Sequence, residues 1–180
     1  MRKNKEIVLG VTASVAVYKA CELVRRLQDN GFGVTVVMTE DARKFIQPRL
    51  FEAVSRNRAY CGMFEETVEW DIEHVSLARK ADLVLIAPAT ANIIAKIAAG
   101  ICDDLLTCVV CATEAPVLIC PAMNDRMFLN RITQANIQKL EKFGYRFVQP
   151  RKGNLACGKA GIGCLAEVDA IVKEARRLLG

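Results

Sequence analysis

Short, unbroken apolar runs recur along this chain, and no other feature limits its fold so tightly. EIVLGV (6–11), VTVVMT (34–39), DLVLIAPA (82–89), PVLICP (116–121) and YRFVQP (145–150) are apolar along their length, not at alternate positions. A strand with one face in water alternates, whereas a strand covered on both faces does not. Between the runs lie stretches with helical spacing. Ala16, Ala20, Leu23 and Leu27 fall at i, i+4, i+7 and i+11, and Gly31 follows as the residue that closes the helix. Phe128, Ile132 and Ala135 repeat the spacing after Asn124, and Ile171, Ala175 and Leu178 repeat it near the C-terminus. This alternation predicts an α/β fold, a three-layer αβα sandwich around a doubly wound parallel sheet. The segment 41–75 carries no clear pattern and stays unassigned. Neither a repeat nor a linker divides the chain, so residues 1–180 are expected to form a single domain.

Composition narrows the function. An apolar share of 52% and a mean hydropathy of +0.20 are high for a soluble monomer and point to a buried sheet, a subunit interface, or both. The net charge of +5 is scattered, with Arg25, Arg26, Arg176 and Arg177 near helix ends. No basic stripe interleaved with aromatics is present, so nucleic acid is not expected as a partner. The N-terminus resembles a signal peptide in outline, but Glu6, Tyr18 and Lys19 spoil its pattern. No run reaches the roughly 18 apolar residues of a membrane span. The expected location is cytoplasmic, away from membranes.

Eight cysteines do not make a disulfide scaffold in a chain of this length and character. Cys21, Cys108, Cys111 and Cys120 lie in apolar segments and read as core thiols. CVVC at 108–111 has zinc-like spacing without a second pair, so no metal is expected. Cys157 stands apart, in the polar, glycine-rich GNLACGKAGIG, where a thiol gains little from burial.

In doubly wound sheets, ligands bind beyond the carboxyl ends of the strands. Thr12 and Ser14, Thr39, Thr90 and Asn92, and Asn124 are the residues just past those ends. Hydroxyls and amides recur there while the strands remain apolar. There is no GxGxxG and no Walker lysine loop, so a dinucleotide or a nucleoside triphosphate lacks its usual cradle. Hydroxyl-bearing turns before helices still hold one phosphate, which suits a mononucleotide such as FMN better than NAD. Helix capping accounts for each hydroxyl separately, so the residues alone leave both readings open.

Four stretches resemble the flavin-dependent cysteine decarboxylases. PAMNDRMF (121–128) is similar to that family's PxMNxxMW motif, and LACGKAGIGCLAE (155–167) to its substrate clamp. GVTASVAVYKACELVRRL (10–27) resembles the first turn and helix. IEHVSLARKADLVLIAPATANIIAKIAAGICDDLLTCVV (72–110) resembles the central block. The likeness runs from about residue 6 to 168 and is strongest to the branch acting on phosphopantothenoylcysteine in coenzyme A biosynthesis, in a stand-alone form. Phe128 stands where tryptophan is usual, Ala13 where glycine is common, and Lys159 where aspartate is common.

The resemblance implies a Rossmann- or flavodoxin-like flavoprotein that decarboxylates 4′-phospho-N-pantothenoylcysteine to 4′-phosphopantetheine with FMN. It assigns FMN to Ala13, Ser14, Val15, Thr39, Thr90, Ala91, Asn92, Ile93 and Ala122, and substrate to Asn124, Met127, Asn154 and Ala156. It makes His74, Asn124 and Cys157 catalytic. Loss of CO2 leaves a carbanion at Cα, and oxidising the neighbouring thiol to a thioaldehyde creates the electron sink that accepts it. The resulting enethiolate is then reduced, so the cycle is redox-neutral. Asn124 would bind the departing carboxylate, with Met123 and Met127 as an apolar wall. His74 would take the thiol proton or orient the carboxylate, since imidazole titrates near neutrality. Cys157 would return a proton to the enethiolate from a mobile flap. The resemblance also implies homotrimers with the flavin between subunits, or dodecamers built from them. The alternatives are a peptidyl-cysteine decarboxylase of lantibiotic maturation, a flavin prenyltransferase, against which the PxMNxxM and Ala-Cys-Gly stretches argue, and a regulatory flavoprotein without catalysis.

Overall fold

A computed structural model describes residues 4–63 and 72–180. Six strands form one parallel sheet: β1 (Glu6–Val11), β2 (Gly33–Met38), β3 (Ala59–Tyr60), β4 (Leu83–Ala89), β5 (Val117–Pro121) and β6 (Arg146–Phe147). Their order across the sheet is β3-β2-β1-β4-β5-β6, the Rossmann order, which reverses direction between β1 and β4. Every residue of β4 is buried, as its unbroken apolar run requires. Five of the six strands coincide with the five apolar runs, although β6 covers only two residues of the last. The sixth, β3, falls in the segment left unassigned, together with a 3₁₀ turn (Ala42–Lys44) and the helix α2 (Pro48–Ser55). The rest of that segment, 64–71, lies outside the described residues.

Two cores lie on either side of the sheet. On one face, Ile7, Leu9 and Val11 of β1 pack with α1 (Tyr18–Asp29), α2 and the C-terminal helix, α8 (Val168–Leu179). On the other, Val8, Val84 and Ile86 pack with α3 (Glu73–Lys80), α4 (Ala91–Ala99), α5 (Leu105–Ala112) and α7 (Arg131–Lys142). Alternate residues of one strand thus serve opposite layers. Gly31 closes α1 at a φ of 83°, the left-handed conformation that its place after the helix predicted.

Two expectations need correction. The run through Phe128, Ile132 and Ala135 is not one helix. A short α6 (Asp125–Phe128) stops, Asn130 caps the backbone N–H of Ile132 at 2.9 Å, and α7 starts afresh. Phe128 is buried, Ile132 is 72% exposed, and Ile137 and Leu140 anchor α7 instead. Cys111 is exposed and Cys21 and Cys108 are only half-buried, so Cys120 alone of those four is a core thiol. The glycine-rich stretch forms an antiparallel hairpin, β7 (Arg151–Asn154) with β8 (Ala160–Cys164), which makes its own two-stranded sheet. No helix among the described residues is long and apolar enough to cross a membrane.

Gly10, the penultimate residue of β1, lets α5 lie flush against the sheet. A Cβ there would stand 2.6 Å from Cδ1 of the fully buried Leu106. Gly10→Val is therefore expected to cost about 1–3 kcal/mol through overpacking, read as a lower urea midpoint with an unchanged slope.

Candidate active site

The turns after β1, β4 and β5 meet where the strand order reverses. Thr12, almost fully buried, ties two of them together. Its Oγ1 donates to the carbonyl of Pro88 at 2.8 Å and accepts from the backbone N–H of Thr90 at 3.1 Å. Ser14 then opens the 3₁₀ turn (Val15–Val17) that leads into α1, its Oγ accepting from Ala16 N. Thr90 caps α4 by accepting from Ile93 N at 3.3 Å. Two helix N-termini, with their partial positive charge, therefore open at one place.

A cleft of about 410 Å³ lies there, within the range of small-molecule sites. Ala13, Ser14, Val15, Thr90 and Ala122 line it from the sheet side, and Asn124, Met127, Asn154, Ala156 and Cys157 from the far side. Among the described residues its walls contain no carboxylate, and two cations, Lys19 and Arg151, line it. Arg151 is braced by Glu167, Nε to Oε1 at 2.7 Å. Apolar walls beside hydroxyls, open helix ends and two nearby cations fit a flat aromatic ligand that carries an anion.

Asn124 answers two demands at once. As the cap of α6, its Oδ1 accepts from Arg126 N at 3.0 Å. Its Nδ2 is left facing Cys157 Sγ at 3.7 Å. One end of the amide thus holds the turn, and the other, still able to donate, points at the thiol.

Cys157 reaches this position on the tip of the hairpin. Leu155 tucks under the tip, Gly158 turns it at a φ of 80°, and Leu155 N bonds to Lys159 O at 2.9 Å. The hairpin is seated by a backbone bond from Met123 N to Gly163 O at 3.0 Å. Gly163 has a φ of 143°, and a Cβ there would lie 2.1 Å from the Met123 carbonyl oxygen. Asn124 and Cys157 meet because β8 lies directly on the residue preceding Asn124.

Other residues singled out in the sequence lie elsewhere. Ile93 is buried in the core of the α4 face, and Ala91, Asn92 and Thr39 do not line the cleft; Thr39 Oγ1 accepts from Ala42 N at 3.4 Å. His74 does not line it either. It is half-buried in the first turn of α3, which packs into the layer of α4 and α5. Sequence reasoning also passed over Lys19, Arg151, Gly163 and Cys164 as lining residues. Lys19 had served only to argue against a signal peptide, and the hairpin pairing that brings in the others has no strong local pattern.

A larger cleft of about 930 Å³ lies at the opposite end, between α1 and α8. Of its cations, Arg26, Arg176 and Arg177 sit in the last turns of those helices, where they offset the helix dipoles, and Lys5, Arg26 and Arg177 are already paired with Asp82, Asp169 and Glu174. It lacks the hydroxyls and helix N-termini of the first.

Comparison with known proteins adds the chemistry. A family model described as Flavoprotein matches residues 1–180. The coenzyme A biosynthesis bifunctional protein CoaBC of Bacillus subtilis is 45% identical over 177 residues, 98% of this chain and 44% of that protein. The chain thus spans less than half the length of the bifunctional relatives it matches. A probable phosphopantothenoylcysteine decarboxylase of Streptococcus mutans is 43% identical over 95% of this chain and 97% of its own. Among solved structures, a mutant PPC decarboxylase complexed with pantothenoylaminoethenethiol superposes with a TM-score of 0.87 at 29% identity, covering 97% and 98% of the two chains. The FMN-dependent cysteine decarboxylase SpaF superposes with a TM-score of 0.81 at 32% identity, covering 95% and 97%.

The seating of the hairpin yields a direct test. Gly163→Ala is expected to lift β8 from Met123, so that limited trypsin digestion at Lys159 speeds several-fold. The urea midpoint should move far less than the cleavage rate, because of the two paired strands only Ile162 packs against a core.

Proposed function

The chain belongs to the flavoprotein family and binds a flavin, and from that premise we propose that it is an FMN-dependent decarboxylase of 4′-phosphopantothenoylcysteine, working in the cytosol on the route to coenzyme A. The observation that carries this reading is the Asn124 amide facing the Cys157 thiol in a cleft whose described lining residues include no carboxylate. Likeness to the Streptococcus mutans relative along nearly its whole length supports it. Two cations lining the cleft, Lys19 and the Glu167-braced Arg151, suit a substrate with a carboxylate at one end and a phosphate at the other, more than a peptide C-terminus with one.

Ala13, Ser14, Val15, Thr90 and Ala122 would hold FMN, with the open N-termini of α1 and α4 toward its anionic part. Bound there, FMN would supply two-electron oxidation of the substrate thiol and return the electrons once CO2 has left. The chain's own residues do the rest. Asn124 Nδ2 donates to the substrate carboxylate and fixes it in place. Met123 and Met127 keep water from that carboxylate, which favours its departure as a neutral molecule. Cys157 gives a proton to the enethiolate left behind, and the hairpin covers the reaction from solvent.

His74 is assigned the earlier proton transfer from the substrate thiol. Since it lies off the cleft of its own chain, we assign it to the cleft of a neighbouring copy, in a homotrimer or a dodecamer of trimers. Apolar side chains left exposed at and beside the cleft support a covering subunit: Val15 at 58%, Tyr18 at 65% and Leu129 at 61%.

The purified protein is expected to be yellow, to release FMN on denaturation, and to liberate CO2 from 4′-phosphopantothenoylcysteine. Asn124→Asp should keep fold and flavin but lose at least about 100-fold in turnover, because it exchanges a donor for a repelling charge. Cys157→Ser should still release CO2 yet accumulate the unsaturated enethiol, two hydrogens lighter than the normal product by mass spectrometry. Normal turnover by both variants, or turnover only of a C-terminal cysteinyl peptide, would overturn the assignment.

The shared site has its own test. His74→Asn and Asn124→Asp should each be inactive alone. Co-expressed, they should regain a fraction of wild-type turnover, because mixed oligomers contain clefts with both native residues. No recovery in oligomers verified as mixed would place His74 outside the reaction.

A further inference from the structure

Arg151 stands at the foot of the hairpin whose tip carries Cys157. It opens β7 opposite Cys164, the last residue of β8, and both line the cleft. The ladder slips by one residue at this point. Arg151 pairs with Cys164 but Lys152 with Ile162, which leaves Gly163 as the extra residue of a bulge. Bulges re-aim the side chains beside them. The bulge that brings the Gly163 carbonyl to Met123 N therefore also sets the direction of Arg151.

The guanidinium is held from two sides. Its Nε lies 2.7 Å from Glu167 Oε1, and its Nη1 donates to the Lys152 carbonyl at 3.3 Å. It also needs room. A Cβ on Gly153 would stand 2.7 Å from Arg151 Nη1 and 3.1 Å from Cys164 Sγ. Arg151 and Glu167 are both well exposed, so their pair contributes little to stability. Its effect is orientation, which lowers the ordering cost of binding an anion. Nη2 has no hydrogen-bond partner among the described residues, so the fork keeps donors for a ligand.

Each anionic group of the ligands needs a partner in the cleft. FMN's phosphate has the N-terminal ends of α1 and α4, with Lys19 in the first turn of α1, and the substrate carboxylate has Asn124. The phosphate at the other end of the pantothenoyl arm is left. β7 advances about 3.3 Å per residue, so Arg151 stands about 10 Å from Asn154 along the strand and farther still from the tip. An extended arm with its thiol at Cys157 thus runs back along the hairpin to the foot. We propose that Arg151 binds the substrate phosphate and makes the enzyme specific for the phosphorylated arm, an assignment that rests on the decarboxylase reading. A guanidinium sets paired N–H groups against two phosphate oxygens, which a lysine ammonium does not.

Flavin-loaded protein, assayed for CO2 release from 4′-phosphopantothenoylcysteine and from its dephospho form, tests this. The wild type is expected to prefer the phosphorylated compound in kcat/KM, through KM. Arg151→Met should cut that preference about 10- to 100-fold, the loss of a charge-assisted pair, and Arg151→Lys should restore part of it. Gly153→Ala keeps the charge but displaces Nη1, and should weaken the preference as well. A wild type without preference, a loss in Arg151→Met shared equally by both compounds, or a preference lost in Lys19→Met instead would overturn the assignment of Arg151 alone. No CO2 from either compound would overturn the decarboxylase reading, and this assignment with it.

Discussion

The buried hydroxyl of Thr12 is the joint on which the site depends. It bonds both to the carbonyl of Pro88 and to the N–H of Thr90, residues at the far end of a strand more than seventy positions later. Those bonds fix the ends of β1 and β4 relative to each other where the sheet order reverses. The turn bearing Ser14 and the cap of α4 then have no freedom to drift apart. A threonine meets this need because its hydroxyl donates and accepts at once, while its methyl group packs among apolar neighbours. Everything above the sheet is placed relative to that pair of strand ends.

The second layer of organisation is the hairpin, and it works by shape. A single bond from Met123 N and the lack of a side chain at Gly163 let β8 lie on the turn after β5. Asn124 and Cys157, thirty-three residues apart, come within 3.7 Å as a result. The sheet supplies the floor of the cleft and the hairpin its far wall, and only the floor belongs to the six-stranded architecture.

What the sequence made legible follows from the range of the forces involved. Strands buried on both faces write themselves as continuous apolar runs, so β1, β2, β4 and β5 could be read directly, and so could the strand-end hydroxyls. The Asn124 cap was equally local. β3, two residues long, left no periodic trace. The break between α6 and α7 was masked because Ile132 continues the apolar spacing while standing in solvent. Whether Cys111 faces core or water depends on the packing of α5, which residue type alone does not encode. The likeness to the cysteine decarboxylases brought Asn124 and Cys157 together on paper. It could not say that His74 lies off the cleft lined by those two residues, because a motif carries order along the chain and not the place of each side chain in the fold.

The order of strands in the sheet has a consequence for synthesis. β2 follows β1 closely and covers one of its edges, but the other edge waits for β4, which begins at Leu83. At about 5–20 residues per second, that edge stands open for several seconds on each emerging chain. β1 is also among the most apolar segments of the protein, and an open apolar edge invites pairing with another nascent chain. Glu6 at its start and the four polar or charged residues before it, Arg2 to Lys5, are the natural gatekeepers during this interval. The charged residues ahead of β1, which resemble an export signal in outline, are thus of the kind that shields an apolar strand before the fold that buries it exists.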